Sequence, residues 1–276
     1  MEKFIIFTDL DGTLLDYSNY SFEKALPALE LIRQRSIPLI LCSSKTRAEI
    51  EYYREKLANS HPFVSENGGG IFIPREYFDF PLSAAPYPIE EGADYSIIRL
   101  GALYSDLRKA VKELQQEGFD VTGFGDMTAK EVASVTNLSV DEAVMAKERD
   151  FDEPLIYKGP SHGLTRLFRS INQKGFNFTQ GRFFHVLGAS DKGMAVSILT
   201  DLYGMKYGDI RTIALGDSPN DIPMLERVDL PVVVKKQDCI YDPQIDMPKL
   251  IKAEGVGPAG WNKAVSDLIL RSDRTF

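Results

Sequence analysis

The chain has 276 residues, of which 43% are hydrophobic and 26% charged, so it has the composition of a globular protein with one large or two modest domains. Its net charge of −8 argues against nucleic acid as a natural partner, and no apolar run approaches the ~20 residues that span a bilayer. The three histidines lack zinc-site spacing, and the N-terminal apolar run is too short for a signal peptide. We therefore expect a cytoplasmic protein.

The segment from Phe4 to Leu14 places two acidic residues directly after a short apolar run. The run Phe4 to Phe7 predicts a strand buried on both faces, and in open α/β sheets ligands bind at the C-terminal ends of such strands. Asp9 and Asp11 stand at that end, and Gly12 lets the backbone turn sharply. Alternate residues of an extended chain point to opposite faces, so the two carboxylates should have different roles. Taken alone, the pattern is equally compatible with a polar turn.

The stretch that follows, up to residue 84, continues an α/β pattern. It predicts a helix over 21–35, a buried strand over 37–42, a helix over 47–57, a short strand over 63–64 and a hairpin arm over 71–73. Ser43 and Ser44 follow the second strand, where a hydroxyl either holds a phosphate oxygen or caps the next helix. Asn67 precedes three glycines, which are turn residues, and it is also a candidate for the rim of a pocket.

Prolines between residues 74 and 88 mark a linker, after which the pattern changes. Residues 85–187 predict a compact α+β unit, with strands over 95–100, 119–124 and 155–157, helices over 103–117, 128–147 and 164–174, and a hairpin over 176–186. Residues 188–276 resume the first domain, with a helix capped by Ser190, strands over 210–215 and 230–234, and a mostly helical remainder. The sequence thus predicts an α/β fold: a doubly wound, mostly parallel Rossmann-like core sheet (1–84 and 188–276) with an inserted α+β cap domain (85–187).

Polar groups from four distant segments fall at strand ends or helix starts. They are Asp9 with Asp11, Ser43, Lys192, and Asp217 with Asp221. In a doubly wound sheet these ends meet at one edge, where separate carboxylates would repel one another unless a cation lay between them. Oxygen ligands without histidine or cysteine favour Mg²⁺. Taken singly, Lys192 is typical of a solvated lysine at a helix start, and Asp217 and Asp221 are typical of a turn and a helix cap. Taken together, these residues predict a site that binds a phosphate group.

The series D-L-D-G-T, S-S-K-T, D-K-G and G-D-S-P-N-D resembles the motifs of the haloacid dehalogenase superfamily of phosphohydrolases, in the subgroup with a large α/β cap. The match covers essentially the whole chain. Three further segments, S-K-T-R-A-E from Ser44, G-R-F-F-H from Gly181 and S-D-K-G-M-A from Ser190, resemble the mannosyl-3-phosphoglycerate phosphatase group. Most relatives for other sugar phosphates have T-G-R where this chain has Ser43-Ser44-Lys45, which favours that group.

The resemblance implies a role for each motif residue. Asp9 would be the nucleophile that forms an aspartyl-phosphate, and Asp11 the general acid and then the general base. Ser43 and Lys192 would bind phosphoryl oxygens. The implied Mg²⁺ ligands are Asp9, Asp11 through its carbonyl, Asp217 and, indirectly, Asp221.

The cap is expected to close over this edge and to bind the rest of a small sugar-phosphate substrate, which also has a carboxylate. The residues predicted to contact substrate are Ser44, Lys45, Asn67, Arg166, Arg182, His185 and Asn220, with Arg169, Trp261 and the loop 255–258 as further candidates. For each cap cation, a surface or packing role is the alternative.

The main functional hypothesis is a Mg²⁺-dependent phosphatase that releases mannosylglycerate from mannosyl-3-phosphoglycerate. One alternative is a phosphatase of the same mechanism for another sugar phosphate, such as glucosyl-3-phosphoglycerate, sucrose phosphate or trehalose phosphate. The others are a phosphomutase and a binding module without chemistry. A binding module predicts a missing nucleophile, acid or metal ligand, and each is present. The oligomeric state is left open.

Overall fold

The structure is a computed structural model that describes residues 3–84 and 86–272. The strands are β1 Lys3–Thr8, β2 Leu39–Cys42, β3 Phe63–Ser65, β4 Gly70–Pro74, β5 Ile89–Glu91, β6 Tyr95–Arg99, β7 Val121–Gly123, β8 Asp152–Tyr157, β9 Asn177–Gln180, β10 Phe184–Leu187, β11 Ile210–Gly216, β12 Leu230–Lys235 and β13 Ile251–Val256. The helices are α1 Leu26–Gln34, α2 Arg47–Lys56, α3 Tyr104–Gln116, α4 Ala129–Thr136, α5 Val140–Ala146, α6 Leu164–Gln173, α7 Lys192–Tyr207, α8 Ile222–Leu225 and α9 Gly257–Ser272.

The large sheet has nine strands in the order β13-β12-β11-β1-β2-β3-β4-β6-β5. The pairs from β13 to β3 are parallel, and β4, β6 and β5 extend the sheet as antiparallel strands. From β1 the chain winds outward on one side through β2 and β3, and later returns on the other side as β11 and β12. This arrangement confirms the predicted doubly wound, mostly parallel core sheet, with the reversal of strand order beside β1.

The sheet is buried on both faces because helices cover both. In β1, Phe4 and Ile6 pack into the core that contains residues of α1 and α9, whereas Ile5 and Phe7 pack against residues of α7 and α8. The four central positions of β1, Phe4 to Phe7, therefore require apolar residues, since neither face of the strand meets solvent there. This burial holds the C-terminal end of β1 in a fixed position.

The cap has its own four-stranded antiparallel sheet, in the order β7-β8-β10-β9. Residues of α3 and α6 pack with this sheet in a separate apolar cluster, which includes Leu107, Val111, Leu155, Leu167 and Val186. The predicted helical stretch 128–147 forms two helices, α4 and α5, and Thr128 and Ser139 each cap one of them in a capping box. A separate core supports the predicted α+β character of the insertion.

The structure differs from the sequence-based expectation in three places. Strands β5 and β6 fall in the stretch assigned to the cap, yet β6 pairs with β4 and β5 pairs with β6, so both extend the large sheet. The predicted start of the cap, residue 85, lies outside the described residues, and we propose a boundary near residue 100 instead. The C-terminal stretch contains a further strand, β13, and α7 is capped by Asp191, whose side chain accepts from the N–H of Met194, rather than by Ser190. Within the described ranges, no helix is long and apolar enough to cross a membrane.

Candidate active site

Asp9 directly follows β1, next to the reversal of strand order in the large sheet. The fully buried Trp261 donates from Nε1 to Oγ1 of Thr8 at 3.0 Å, and this hydroxyl donates to the carbonyl of Asp9 at 2.8 Å. Trp261 thus supports the end of β1 from inside the core. It does not border the site, contrary to the sequence-based suggestion.

Lys192, the first residue of α7, is completely buried and pairs with two carboxylates. Its Nζ lies 2.7 Å from Oδ1 of Asp9 and 2.6 Å from Oδ1 of Asp221. Burial alone would lower the pKa of Lys192, but the two carboxylates outweigh burial and raise it above its ordinary value. Lys192 is therefore a fixed positive charge beside Asp9 and not a solvated lysine.

Asp217 follows β11, on the other side of β1 from β2. Oδ1 of Asp217 accepts from Thr13 at 3.3 Å and Oδ2 accepts from Ser218 at 3.1 Å. Gly12 has a φ of +82°, and a Cβ at this position would stand 2.9 Å from Oδ2 of Asp217, so glycine is required for the close approach. Burial, followed by repulsion from Asp221, raises the pKa of Asp217 to about 7.

Asp9, Asp217 and Asp221 each offer one carboxylate oxygen, and these oxygens lie within 4.8 Å of one another. Burial raises the pKa of Asp9 well above its ordinary value; Lys192 opposes this, and Asp221 and Asp217 add to it. Three buried carboxylates against one lysine leave an excess of negative charge. Hard oxygen donors at this spacing fit a small divalent cation.

Within this cluster, Asp221 makes the most hydrogen bonds and ion pairs with the protein itself. Its Oδ1 pairs with Lys192, and its Oδ2 accepts from the N–H groups of Asp217 at 3.0 Å and Ser218 at 3.1 Å. These contacts are typical of a residue that orients Lys192 and the loop after β11. They leave Asp9 and Asp217 as the better candidates for direct contact with a cation.

The carboxylate of Asp11 is about one-third exposed, and Nζ of Lys45 lies 3.2 Å from its Oδ1. Lys45 is nearly buried, also lies 3.3 Å from Glu49, and stands over the ring of Tyr20. Burial alone would lower the pKa of Lys45, but Asp11 and Glu49 raise it above its ordinary value. The sequence had named Lys45 only as a substrate contact; the structure also makes it the cation beside the candidate general acid.

Neither serine after β2 caps α2, because Thr46 does so in a capping box with Glu49. Ser43 is fully buried: its Oγ accepts from the N–H of Lys45 at 3.2 Å, and its carbonyl accepts from the N–H of Asn67 at 3.0 Å. Ser44 lines two cavities beside Asp11. The helix-capping alternative for these serines is therefore wrong.

Three cavities lie around Asp9, Asp11 and Asp217. One, of about 50 Å³, is lined by Asp9, Asp11 and Asp217, among others; a second, of about 60 Å³, extends from Asp11 into the cap. A third, of about 270 Å³, lies beside Asp217 and residues 256–258, which are part of the loop 255–258 that the sequence suggested as a border of the site. Arg182, in the turn between β9 and β10, lines all three. The cavities therefore form neighbouring parts of one crevice between core and cap.

The predicted cap residues divide into two groups. Arg182 donates to the hydroxyl of Tyr20 at 3.1 Å and lies over the ring of Tyr17, and the buried His185 lines the second cavity. Arg166 instead lies over the ring of Phe119 within the cap, and Arg169 is exposed on the same helix, α6. The structure brings the first pair to the crevice and does not bring the α6 arginines there.

Asn67 and Asn220 meet each other at the crevice: the Asn220 amide donates to the Asn67 side-chain oxygen at 3.0 Å. The Asn67 amide donates in turn to Asp152 in the cap at 2.8 Å. Asn220 also lines the small cavity with Asp9. Sequence reasoning did not assign a role to Glu49 and Tyr20, which contact Lys45, or to Arg149 and Asp152, which pair beside Asn67. The Thr46–Glu49 capping-box spacing was a readable signal for Glu49.

The family model for haloacid dehalogenase-like hydrolases matches residues 6–87 and 164–238. The chain belongs to this family of hydrolases. It is 45% identical, over 97% of both chains, to the glucosyl-3-phosphoglycerate/mannosyl-3-phosphoglycerate phosphatase of Methanococcoides burtonii. It is 38% identical to the mannosyl-3-phosphoglycerate phosphatase of Pyrococcus furiosus, over 83% of this chain and 90% of that protein. Among solved structures, Thermoplasma acidophilum 0175 matches with a TM-score of 0.69 and 15% identity, over 98% of this chain and all of that one, which supports the fold.

Proposed function

We propose that the protein is a Mg²⁺-dependent phosphatase that hydrolyses mannosyl-3-phosphoglycerate to mannosylglycerate and phosphate. The observation that carries this proposal is the arrangement around Asp9: a buried lysine at 2.7 Å and two further carboxylates within 4.8 Å. Such a site suits a carboxylate nucleophile that attacks a phosphoryl group next to a divalent cation. The names of the relatives in Methanococcoides and Pyrococcus support the choice of substrate.

The proposed reaction has two steps. In the first, a carboxylate oxygen of Asp9 bonds to phosphorus while the bond from phosphorus to the glycerate oxygen breaks, and Asp11 gives its proton to that oxygen. In the second, Asp11 takes a proton from a water molecule that attacks phosphorus, and the Asp9 carboxylate is released. Lys192 offsets the negative charge that Asp9 and the phosphoryl oxygens bring together. Asp9, Asp217 and the Asp11 carbonyl would hold Mg²⁺. When bound, the ion would neutralise charge on the phosphoryl group and orient it.

A glucosyl-3-phosphoglycerate substrate is a second candidate, because the Methanococcoides relative and one in Persephonella marina carry both sugars in their names. The experiment is a panel of mannosyl-3-phosphoglycerate, glucosyl-3-phosphoglycerate, sucrose phosphate and trehalose phosphate, assayed for released phosphate with Mg²⁺ and then with a chelator. We expect the two phosphoglycerates to react, and only with the metal. Preference for sucrose or trehalose phosphate, or transfer of phosphate without release, would contradict the proposal and favour another phosphatase or a phosphomutase.

Arg182 is the cap cation best placed to bind the substrate carboxylate, since the partners named above, a hydroxyl and a ring, are neutral. We expect Arg182→Ala to raise KM for mannosyl-3-phosphoglycerate about tenfold, the effect of losing one charge-assisted hydrogen bond, with a smaller change in kcat. Arg166→Ala is the matched control and should leave KM unchanged, because Arg166 lies over Phe119. Steady-state kinetics of both variants test this; equal effects would contradict the assignment.

Mg²⁺ affinity should depend on pH, because the pKa of Asp217 is raised to about 7 in the metal-free protein. A carboxylate must lose its proton before it binds metal, so affinity should fall as the pH drops below about 7, and binding there should release a proton. Titration calorimetry at about pH 6 and about pH 8, in buffers of different ionisation enthalpy, measures both quantities. Asp217→Asn should weaken binding and reduce this dependence, although the raised pKa of Asp9 should leave part of it. Equal affinity at the two pH values would argue against Asp217 as a ligand.

The remaining sequence-based expectations stay predictions. A small sugar phosphate is the proposed partner. The lack of a nucleic-acid partner and the cytoplasmic location rest on charge and on the N-terminal pattern alone.

A further inference from the structure

A cluster of polar side chains joins the cap to the core beside the crevice, and the proposed reaction does not use it. This junction cluster consists of Glu66 and Asn67 from the core, and Arg149, Asp152 and His185 from the cap. Glu66 and Asp152 are fully buried, and the side chains of the other three are at most 5% exposed. So many buried polar groups are stable only when they bind one another with good geometry.

Glu66 fixes the path of the chain where it returns from α5 to β8. Its carboxylate accepts hydrogen bonds from the N–H groups of Asp150, Phe151 and Asp152, at distances between 2.7 and 3.1 Å. Glu66 and Asn67 both have positive φ, of 49° and 56°, an uncommon conformation for residues with a side chain. Two consecutive strained residues persist only where surrounding contacts hold them. The contacts of Glu66 and Asn67 therefore determine the conformation of this loop.

Asp152 is the centre of the cluster. Its Oδ1 pairs with Arg149 at 2.8 Å, and its Oδ2 accepts from the Asn67 amide at 2.8 Å and lies 3.0 Å from Nδ1 of His185. Burial would raise the pKa of Asp152, but His185 and Arg149 outweigh it, so the pKa stays below its ordinary value. Asp152 is therefore a carboxylate with three protein partners, and two of them, Arg149 and His185, lie between it and the crevice.

Those two partners face the same cavity. Arg149 and His185 both line the cavity that extends from Asp11 and Lys45 into the cap, whereas Asp152 does not. Arg149 also donates to the carbonyl of Ser44 at 2.8 Å, which ties it to the loop after β2. Asp152 thus lies behind two cavity-lining side chains and holds both.

We propose that Asp152 is a positioning residue that sets His185 and Arg149 against the glycosyl-glycerate half of the substrate, while the phosphoryl group is handled by the core alone. This inference rests on the proposed function. Because Asp152 engages Nδ1 of His185, Nε2 is the ring nitrogen that remains for a substrate hydroxyl. Loss of Asp152 would misplace both groups without touching Asp9, Asp11 or Lys192.

The test compares Asp152→Asn with wild type on two substrates. One is mannosyl-3-phosphoglycerate, which has the glycosyl-glycerate half; the other is p-nitrophenyl phosphate, which lacks it. We expect kcat/KM to fall about 10²-fold on the first, the effect of a misplaced binding group, and to stay within about twofold on the second. Asp150→Asn is the matched control, because its side chain is exposed on the same segment, and it should behave as wild type on both.

Two outcomes would overturn the inference: an equal loss on both substrates, or wild-type kinetics on both. Should Asp152→Asn fail to fold, His185→Ala must show the same split between substrates. Where Asp152→Asn folds, its combination with His185→Ala must lose less activity than the product of the two single losses, since Asp152 acts in part through His185. If wild type itself does not hydrolyse mannosyl-3-phosphoglycerate, the proposed function fails instead, which separates the two claims.

Discussion

Asp9→Asn should abolish turnover, with a loss of roughly 10⁴-fold or more, because an amide cannot form the acyl phosphate on which both proposed steps depend. The fold should persist, since the asparagine oxygen still accepts from Lys192, which stands 2.7 Å from Oδ1 in the wild type. The unfolding midpoint without Mg²⁺ should stay close to that of wild type, because the substitution removes a charge that Asp217 and Asp221 repel. Phosphate-release assays and thermal unfolding, run side by side, measure both effects.

The control for this variant is Asp201→Asn, the same change at an exposed position of α7. It should keep full activity. Turnover near the wild-type rate in Asp9→Asn would remove the nucleophile assignment, and a collapse of the unfolding midpoint would show that Asp9 has a structural role that the geometry does not indicate.

Lys192→Met should be the most destabilising single change at the site. Lys192 is fully buried and is the cation that pairs with both Asp9 and Asp221. Removing one partner of a buried ion pair leaves an uncompensated charge and costs about 3–5 kcal/mol of unfolding free energy. Activity should be lost as well, because the remaining carboxylates repel an anionic phosphoryl group.

Mg²⁺ should partly restore the stability of Lys192→Met, because a divalent cation supplies the positive charge that the lysine gave. The difference in unfolding free energy between variant and wild type should therefore be smaller with Mg²⁺ than with a chelator. Lys263→Met is the control: Lys263 pairs with Glu254 in solvent, and the change should have little effect in either condition. A variant as stable as wild type without metal would contradict the charge balance described for the site.

The sequence predicted the core of the fold because its continuous apolar runs indicate strands that are buried on both faces of a sheet. A four-residue apolar run followed by Asp9 and Asp11 requires burial on both faces and a polar end, and β1 has both. The placement of β5 and β6 was not predictable in the same way. Alternation over 95–100 indicates a strand, but it does not say which sheet the strand joins, and hydrogen bonding to β4 decided that.

The candidate site shows the same limit. Asp9, Asp217 and Asp221 lie together because the ends of parallel strands must meet, which strand order alone dictates. Arg166 and Arg182 look alike in sequence, and only the packing of α6 against Phe119 separates them. Glu66 and Asp152 gave no signal, since a buried carboxylate that binds backbone N–H groups from a distant segment has no local pattern.

Trapping the phosphoryl-enzyme would show whether Asp9 accepts the phosphoryl group. Asp11→Asn removes the base of the second step, while p-nitrophenolate leaves from p-nitrophenyl phosphate without a proton, so the phosphoryl-enzyme should accumulate. After acid quench, mass spectrometry of the tryptic peptide that runs from Phe4 to Lys24 should show one phosphoryl group on Asp9. p-Nitrophenol release with no adduct, or an adduct on another residue, would contradict the account.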